Sequence, residues 1–367
     1  MPTQMPSKSE SNEPWILNVK PEIRSLPGYI APPQKDIPVK LNQNENSCDI
    51  PEEIKKQVLE AIYHQPWSRY PMYDPPELRE KLAEQWGLSP DQILLGNGSN
   101  QIIYLLATAI LSPNDPVLLS PPTFSLFELV AKIFQAQILS VDQNPDFSLK
   151  EEEILKVCAK AKLLFFASPN NPTGRMFSLT FLEALLQKTS GLVVWDEAYG
   201  EFAQETAIPL IQNYSNLLIL KTFSKLGLAG LRIGYLIGNS KLIGELKKAN
   251  IPYNINRFTL SAILKFLENT EWMKTQVQRI IQEREKMVQA LYTVPHITPY
   301  PSSANFILFR TPDGNKVFEE LKQRGVLVRT VDSHPLLHNC LRVTVGTAEE
   351  NQIFIETLRG IMEKIAS

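Results

Sequence analysis

Between residues 50 and 238 the chain alternates short, unbroken apolar runs with longer stretches of helical period, and few architectures satisfy that alternation. The runs are Gln92 to Leu95, Val117 to Ser120, Gln137 to Val141, Leu163 to Ala167, Leu192 to Trp195, Leu217 to Leu220 and Ile233 to Ile237. A strand with one wet face alternates apolar and polar residues. A strand apolar at nearly every position is buried on both faces, the condition of a parallel sheet sandwiched between helices. The intervening stretches supply those helices: Ile50 to Tyr63, Pro76 to Trp86, Asn100 to Leu111, Phe124 to Phe134, Leu149 to Ala161 and Leu179 to Lys188. The second of them carries Pro at its start and Gly87 at its stop, residue types suited to those two ends. The expectation is an α/β fold with a mostly parallel, seven-stranded-type central sheet covered by helices.

After Pro252 the pattern changes. Thr259 to Tyr292 reads as a long helical stretch with a break near Thr270, and Asn305 to Phe309, Val326 to Arg329 and Leu341 to Val345 read as strands with flanking helices. This is the pattern of a smaller α+β unit, and 367 residues suit two domains. The expected division is an N-terminal tail and arm over 1–40, a large domain over 41–258 and a small C-terminal domain over 259–367.

A net charge of -2 offers no basic excess for binding a phosphate backbone, so nucleic acid is not an expected partner. The polar, Pro-rich stretch from Met1 to Pro14 lacks the apolar core of a signal peptide and reads as a disordered tail. Apolar runs such as Ile102 to Leu111 fall short of the roughly 20 residues that span a bilayer, so no membrane partner is expected. Three widely spaced cysteines, Cys48, Cys158 and Cys340, argue against a disulfide framework and for a cytoplasmic location. His334, His338 and Cys340 lie close in sequence, but Pro335 and the loop context argue against a closed metal site, and no metal is expected.

In an open α/β sheet, ligands bind beyond the carboxyl ends of the strands. The polar residues that follow the apolar runs are therefore the candidates: Gly96-Asn-Gly-Ser-Asn100, Ser168-Pro-Asn-Asn-Pro-Thr-Gly174, Asp196-Glu-Ala-Tyr199 and Lys221-Thr-Phe-Ser-Lys225. Together they offer backbone donors, an amide, a carboxylate, a phenol, hydroxyls and an amine. That inventory suits pyridoxal 5'-phosphate, which needs a lysine for its imine link, a carboxylate against its ring nitrogen and an anion site for its phosphate. Asp196 is placed to hold the ring nitrogen protonated, and Tyr199 and Asn171 to hydrogen-bond the ring 3-oxygen. Gly98, Ser99 and Asn100 open a helix, where free N–H groups and the dipole favour a phosphate. Thr222, Ser224 and Arg232 add hydroxyl and guanidinium contacts to the same group.

Each of these residues has a plainer reading when taken alone. Lys225 reads as a surface lysine, Asp196 as a helix N-cap, Tyr199 as core packing and Arg232 as a surface charge. Their arrival in order around the strand ends is what favours the joint reading.

The set Ser168-Pro-Asn-Asn-Pro-Thr-Gly174, Asp196-Glu-Ala-Tyr199 and Ser224-Lys225 followed by Gly230-Leu-Arg232 resembles the fold-type I aminotransferases of class I/II. Leu41-Asn-Gln-Asn-Glu-Asn46, Arg69-Tyr70-Pro71, Pro121-Pro-Thr-Phe124, Pro252-Tyr-Asn-Ile-Asn-Arg257 and Leu341-Arg-Val-Thr-Val-Gly-Thr347 are similar, more narrowly, to the histidinol-phosphate aminotransferase family, in order from about Leu26 to Leu358. The resemblance implies that Lys225 carries the cofactor covalently and then serves as general base and acid. It implies a homodimer in which Tyr70 reaches the neighbouring subunit's cofactor phosphate. It also implies that Arg342 binds the carboxylate of 2-oxoglutarate or glutamate and the phosphate of histidinol phosphate, with Arg329, Tyr29 and Asn305 nearby. Phe124 stands where many relatives stack a tyrosine over the cofactor ring, which keeps the stacking and loses the hydroxyl. The interval from Lys225 to Arg232 is one residue shorter than in many relatives, which leaves the path of that loop open. An aromatic amino-acid aminotransferase and a threonine-phosphate decarboxylase are the alternatives on the same scaffold, and a non-catalytic binding or regulatory domain is the alternative outside enzymes.

Overall fold

The computed structural model describes residues 14–26, 28 and 37–366. The polar tail before Pro14 and Tyr29 lie outside the described residues. The short helix α1 (Pro21–Arg24) leads to strand β1 (Val39–Lys40), then helices α2 (Glu52–Tyr63) and α3 (Pro76–Trp86). Strand and helix then alternate: β2 (Ile93–Gly96), α4 (Gly98–Ile110), β3 (Pro116–Leu119), α5 (Ser125–Ile133), β4 (Gln137–Ser140), α6 (Glu151–Val157), β5 (Leu163–Ala167), α7 (Leu179–Lys188) and β6 (Leu192–Asp196). After α8 (Gly200–Ala203) come β7 (Leu217–Thr222), β8 (Gly234–Gly238) and α9 (Ser240–Lys247).

Strands β2 to β8 form a seven-stranded sheet in the order β2-β8-β7-β6-β5-β3-β4. All pairings are parallel except those of β8, which runs antiparallel to β2 and β7. The unbroken apolar runs have their expected cause. Leu163, Phe165 and Ala167 of β5 enter one core with α4 and α5, while Leu164 and Phe166 enter the core on the opposite face with α7. In β5 two buried faces at a side-chain period of two leave no position for a polar residue, whereas the edge strand β4 is partly exposed.

The remaining chain holds α10 (Arg257–Leu267), α11 (Thr270–Tyr292), β9 (Thr298–Pro299), β10 (Phe306–Arg310), α12 (Gly314–Gln323), β11 (Val326–Leu327), β12 (Arg329–Thr330), β13 (Cys340–Thr344) and α13 (Ala348–Ala366). Strands β12-β13-β10-β9 make a second, antiparallel sheet. The break expected near Thr270 falls at Glu268 and Asn269.

Three differences from the sequence reading have local causes. The stretch read as one strand, Val326 to Arg329, is two: β11 pairs in parallel with β1, and β12 pairs with β13. Strands β1 and β9 are two residues each, below the length at which periodicity speaks. Helix α4 begins at Gly98 rather than Asn100, since Gly98 at φ 76° opens the turn directly from Asn97.

Candidate active site

The carboxyl edge of the seven-stranded sheet gathers the polar loops. Thr222 ends β7, and the one connection from β7 to β8 carries Ser224, Lys225 and Arg232. Ser224–Leu228 is a single π-type turn in which Gly227, at φ 100°, bends the backbone. The Trp272 ring packs so close that a side-chain carbon at Gly227 would meet it at 2.9 Å. This compact turn is the path taken by the short Lys225–Arg232 interval. Arg232 itself sits in the left-handed region at φ 53° and turns its guanidinium back over the start of α4. Its Nη1 donates to Ser224 Oγ at 3.2 Å, and a methyl group at Gly98 would lie 2.6 Å from its Nη2. Thr222 Oγ1 donates to Ser224 Oγ at 3.0 Å. Strand β8 is close as well, since a side-chain carbon at Gly234 would stand 2.7 Å from the Ser99 nitrogen. The N–H groups in the first turn of a helix have no intrahelical partner. Gly98, Ser99 and Asn100 thus present free donors beside a guanidinium and two hydroxyls, a setting suited to a phosphate-sized anion.

Deeper in the cleft, Asp196 is the last residue of β6 and is buried. Its Oδ1 accepts the Ala198 N–H at 2.8 Å, which closes a local turn rather than capping helix α8, whose first flanking residue is Tyr199. Burial pushes the Asp196 carboxyl up to about 7; the Ala198 N–H works against this, Glu197 adds to it, and Lys225 and Lys221 oppose it. A carboxyl so desolvated gains from an adjacent cation.

The Lys225 amine lies 5.8 Å from the centroid of the Tyr199 ring and donates to the Gln43 carbonyl at 3.4 Å. Desolvation first and the Arg342 cation second bring its pKa down to about 8, with Glu45 pulling the other way. That places a nucleophilic free amine within reach of neutral pH. Burial raises the Tyr199 hydroxyl above the usual phenol value, while Arg342 and the hydrogen bond from Asn44 oppose it.

Arg342, on β13, donates Nη1 to Asn171 Oδ1 at 2.6 Å and Nη2 to the Asn42 carbonyl at 3.0 Å. Burial lowers its pKa to about 10, so it remains a cation at neutral pH. Its buried Nε has no partner among the described residues. Arg329 faces it directly in the β12–β13 register.

The expected residues therefore fall into groups. Lys225, Asp196, Tyr199, Asn171 and Arg342 meet in the cleft, while Gly98, Ser99, Thr222, Ser224 and Arg232 meet at the start of α4, with Asn100 in the same first turn. Arg329 adjoins Arg342. Asn305 is fully buried behind the cleft and donates to the Asn44 carbonyl at 3.0 Å. Phe124 sits just before α5 with its ring edge-on to Phe127 at 5.6 Å. Tyr70 stands apart: it is 79% exposed and stacks on Tyr253 at 4.8 Å.

Two buried features carried no role in the sequence reading. Asn44 donates Nδ2 to the Tyr199 hydroxyl at 2.8 Å. Lys221, at the end of β7, bonds Glu197 at 3.1 Å and Glu201 at 3.2 Å and lies 4.8 Å from the Trp86 ring. The available signal for Lys221 was a charge placed directly after the apolar run Leu217 to Leu220.

The profile of the family described as Aminotransferase class I and II matches residues 36–358. A histidinol-phosphate aminotransferase of Chlorobaculum tepidum is 36% identical over 347 residues, which cover 94% of this chain and the whole of that protein. Histidinol-phosphate aminotransferase 2 of Nitrosococcus oceani is 38% identical over 352 residues, 94% of this chain and 97% of that one. Among solved structures, the histidinol-phosphate aminotransferase of Sinorhizobium meliloti, in complex with pyridoxal-5'-phosphate, aligns with a TM-score of 0.84 at 23% identity over 94% of this chain and 97% of that one. L-threonine-O-3-phosphate decarboxylase from Porphyromonas gingivalis aligns with a TM-score of 0.77 at 22% identity over 89% of this chain and 99% of that one, so the fold is common to enzymes that break different bonds. With the profile spanning most of the chain and full-length relatives more than a third identical, the protein belongs to the class I and II aminotransferase family.

Proposed function

We propose that the protein is a histidinol-phosphate aminotransferase, which moves the amino group of L-histidinol phosphate to 2-oxoglutarate and yields imidazole-acetol phosphate and L-glutamate. The observation that carries this reading is the desolvated Lys225 amine held among Asp196, Tyr199 and Arg342, in a chain matched over 94% of its length by relatives of that name.

The residues fit pyridoxal 5'-phosphate by a test independent of the family. Gly98 is the floor of a recess that a methyl group would fill, Arg232 overhangs it, and Asp196 is a buried carboxyl raised by desolvation that a pyridinium proton would relieve. When bound, the cofactor supplies an electron sink for the charge released as the substrate Cα–H bond breaks. Lys225 is the residue that would attach it, and its freed amine would serve as the base that takes the substrate Cα proton and as the acid that returns it. Asp196 keeps the ring nitrogen protonated. Asn171 and Tyr199 offer donors to the ring 3-oxygen, and Phe124 lies against one ring face. The first turn of α4, with Thr222, Ser224 and Arg232, grips the cofactor phosphate.

Two features support a phosphorylated donor substrate. Arg329 and Arg342 stand directly opposite each other on neighbouring strands, an arrangement of like charges that is unfavourable until an anion lies between them. The buried Nε of Arg342 lacks a partner among the described residues, which leaves a donor for that anion.

A homodimer is part of the reading. Tyr70, Tyr73 and Tyr253 form an exposed aromatic group, with Trp67 and Phe258 in contact beside it. Exposed patches of this kind mark association surfaces, and Tyr70 within it would reach the partner's cofactor phosphate. The division into a large unit over 41–258 and a small one over 259–367 is supported by the seven-stranded sheet lying in the first range and the four-stranded sheet in the second, although the boundary falls inside α10. A cytoplasmic location accords with three cysteines free of disulfides.

The test offers the loaded protein histidinol phosphate, phenylalanine and threonine phosphate separately, and follows loss of the yellow lysine-bound form. Rapid reaction with histidinol phosphate is the expected result. Reaction with phenylalanine alone, or release of carbon dioxide from threonine phosphate, would overturn the substrate, and a protein that never turns yellow would overturn the enzyme.

A further inference from the structure

Asn44 is buried, with a backbone in the left-handed region at φ 54°, and it is held at both ends. Its N–H donates to Thr344 Oγ1 at 2.9 Å, and its carbonyl accepts from Asn305 Nδ2 at 3.0 Å. A non-glycine residue keeps such a conformation where its surroundings over-determine it.

The direction of every proton in this group follows from the inventory of donors. Thr344 Oγ1 already accepts the Asn44 N–H, so its own proton is free to be donated, and Asn44 Oδ1 stands 3.3 Å away to receive it. That sets the amide with its oxygen toward Thr344 and its NH2 toward Tyr199. An amide NH2 only donates, so at 2.8 Å the Tyr199 oxygen is the acceptor. Arg342 beside the phenol is a donor and cannot take its proton, and the Lys225 amine is a donor wherever it is charged. Phe306 packs edge-on against the ring at 5.1 Å and offers no acceptor.

We propose that Thr344 and Asn44 form a proton-ordering relay that obliges the Tyr199 hydroxyl to act as a donor toward whatever anionic oxygen is bound beside it. On the function proposed above, on which this inference rests, that oxygen is the ring 3-oxygen of the cofactor. Asn44 and Thr344 are positioning residues, since they act only through Tyr199. A donated proton withdraws charge from the ring oxygen and so lowers the proton affinity of the Lys225 nitrogen in its link to the cofactor. The other ionisable groups that bear on this nitrogen are Asp196, Arg342, Arg232 and Glu45.

The experiment is an absorbance pH titration of the full chain loaded with pyridoxal 5'-phosphate. Asn44→Gly is the variant of choice, because glycine accepts the positive φ and removes only the side chain. In the wild-type background Asn44→Gly is expected to move the titration upward by roughly half a pH unit, the scale of one hydrogen bond. In a Tyr199→Phe background it is expected to move nothing. Thr344→Val is expected to act in the same direction and Thr344→Ser to restore the wild-type value, so that the relay stays testable if Asn44→Gly folds poorly. Equal shifts from Asn44→Gly with and without the Tyr199 hydroxyl, or no shift where Tyr199→Phe alone produces one, would overturn the relay and leave the site reading standing. A titration indifferent to Tyr199→Phe would remove the reading of Tyr199 and the relay together.

Discussion

Arg342 Nη1 donates to Asn171 Oδ1 at 2.6 Å, and this bond ties strand β13 of the C-terminal sheet to the loop that follows β5. It also sets the Asn171 amide, because an oxygen occupied by a guanidinium leaves the NH2 to point elsewhere. Asn171 and Tyr199 are thereby both presented as donors, each fixed by a neighbour on the other side. The rigid, planar fork of Arg342 matters here as much as its charge.

Arg342→Lys is therefore expected to lower kcat/KM for 2-oxoglutarate by about 10- to 100-fold, the scale of a lost charge-assisted fork. Most of the loss should fall on KM. Steady-state kinetics with the oxoacid varied will show this, and an unchanged KM would place the carboxylate elsewhere.

The Lys225 amine is protonated below about 8 and free above it. Only the free amine attacks an aldehyde, so the rate at which cofactor-free protein turns yellow is expected to rise with pH and level off above about 8. Stopped-flow absorbance across pH checks it, and a half-point near the ordinary lysine value would show that the amine is not desolvated. Lys225→Ala is expected to give no yellow form and no turnover, with circular dichroism and oligomeric state unchanged.

Asp196→Asn is expected to reduce kcat by about a hundredfold or more, as losses of an electrostatic stabiliser do. Cofactor affinity should fall much less, since the phosphate grip is elsewhere and the carboxylate matters most when charge enters the ring. Parallel measurement of kcat and of the cofactor dissociation constant separates the two. Equal losses in both would mean that Asp196 serves binding alone.

Lys221 is 2% exposed, and burial alone would lower its pKa; Glu201 and Glu197 outweigh this and hold it above the usual lysine value. Glu197 also accepts the Ala207 N–H at 2.6 Å and the Thr206 hydroxyl at 2.7 Å. Removing one member of such a pair strands the other charge without solvent. Lys221→Met should cost about 3 to 5 kcal/mol of unfolding free energy, and the double variant Lys221→Met with Glu197→Gln should recover a good part of it. Urea denaturation of both proteins gives the comparison, and a single variant as stable as wild type would refute the account.

Much of this molecule was legible before its structure. Strands such as Leu163 to Ala167 were readable because two buried faces demand an apolar residue at every position, and their ends then pointed to Asp196, Asn171 and Lys225. Asn44 was not readable in the same way. Its neighbours in space, Tyr199, Asn305 and Thr344, are brought to it by pairing of β10 with β13 and by the Leu41 carbonyl accepting the Thr344 N–H at 2.8 Å, and none of these is a local pattern. The split of Val326 to Arg329 between β11 and β12 was hidden for a related reason, since strand partners leave no mark on a four-residue run. Tyr70 shows a third limit: within one chain it touches Tyr253, and a role across an interface has no signature in periodicity.

The end of β7 and its connection to β8 hold Thr222, Ser224, Lys225 and Arg232, while Arg329 and Arg342 lie on strands of a different sheet. On the function proposed, the cofactor lysine and part of the phosphate grip are thus written on one stretch of chain and the substrate arginines on another. On that reading, side chains on β12 and β13 can be exchanged, and with them the preferred anion, while Ser224, Lys225 and Arg232 stay in register on their shared connection, provided that whatever replaces Arg342 still holds Asn171. Such a scaffold changes its diet without first losing its tool, and directed evolution aimed at new amino donors should begin on β12 and β13 and leave the β7–β8 connection alone.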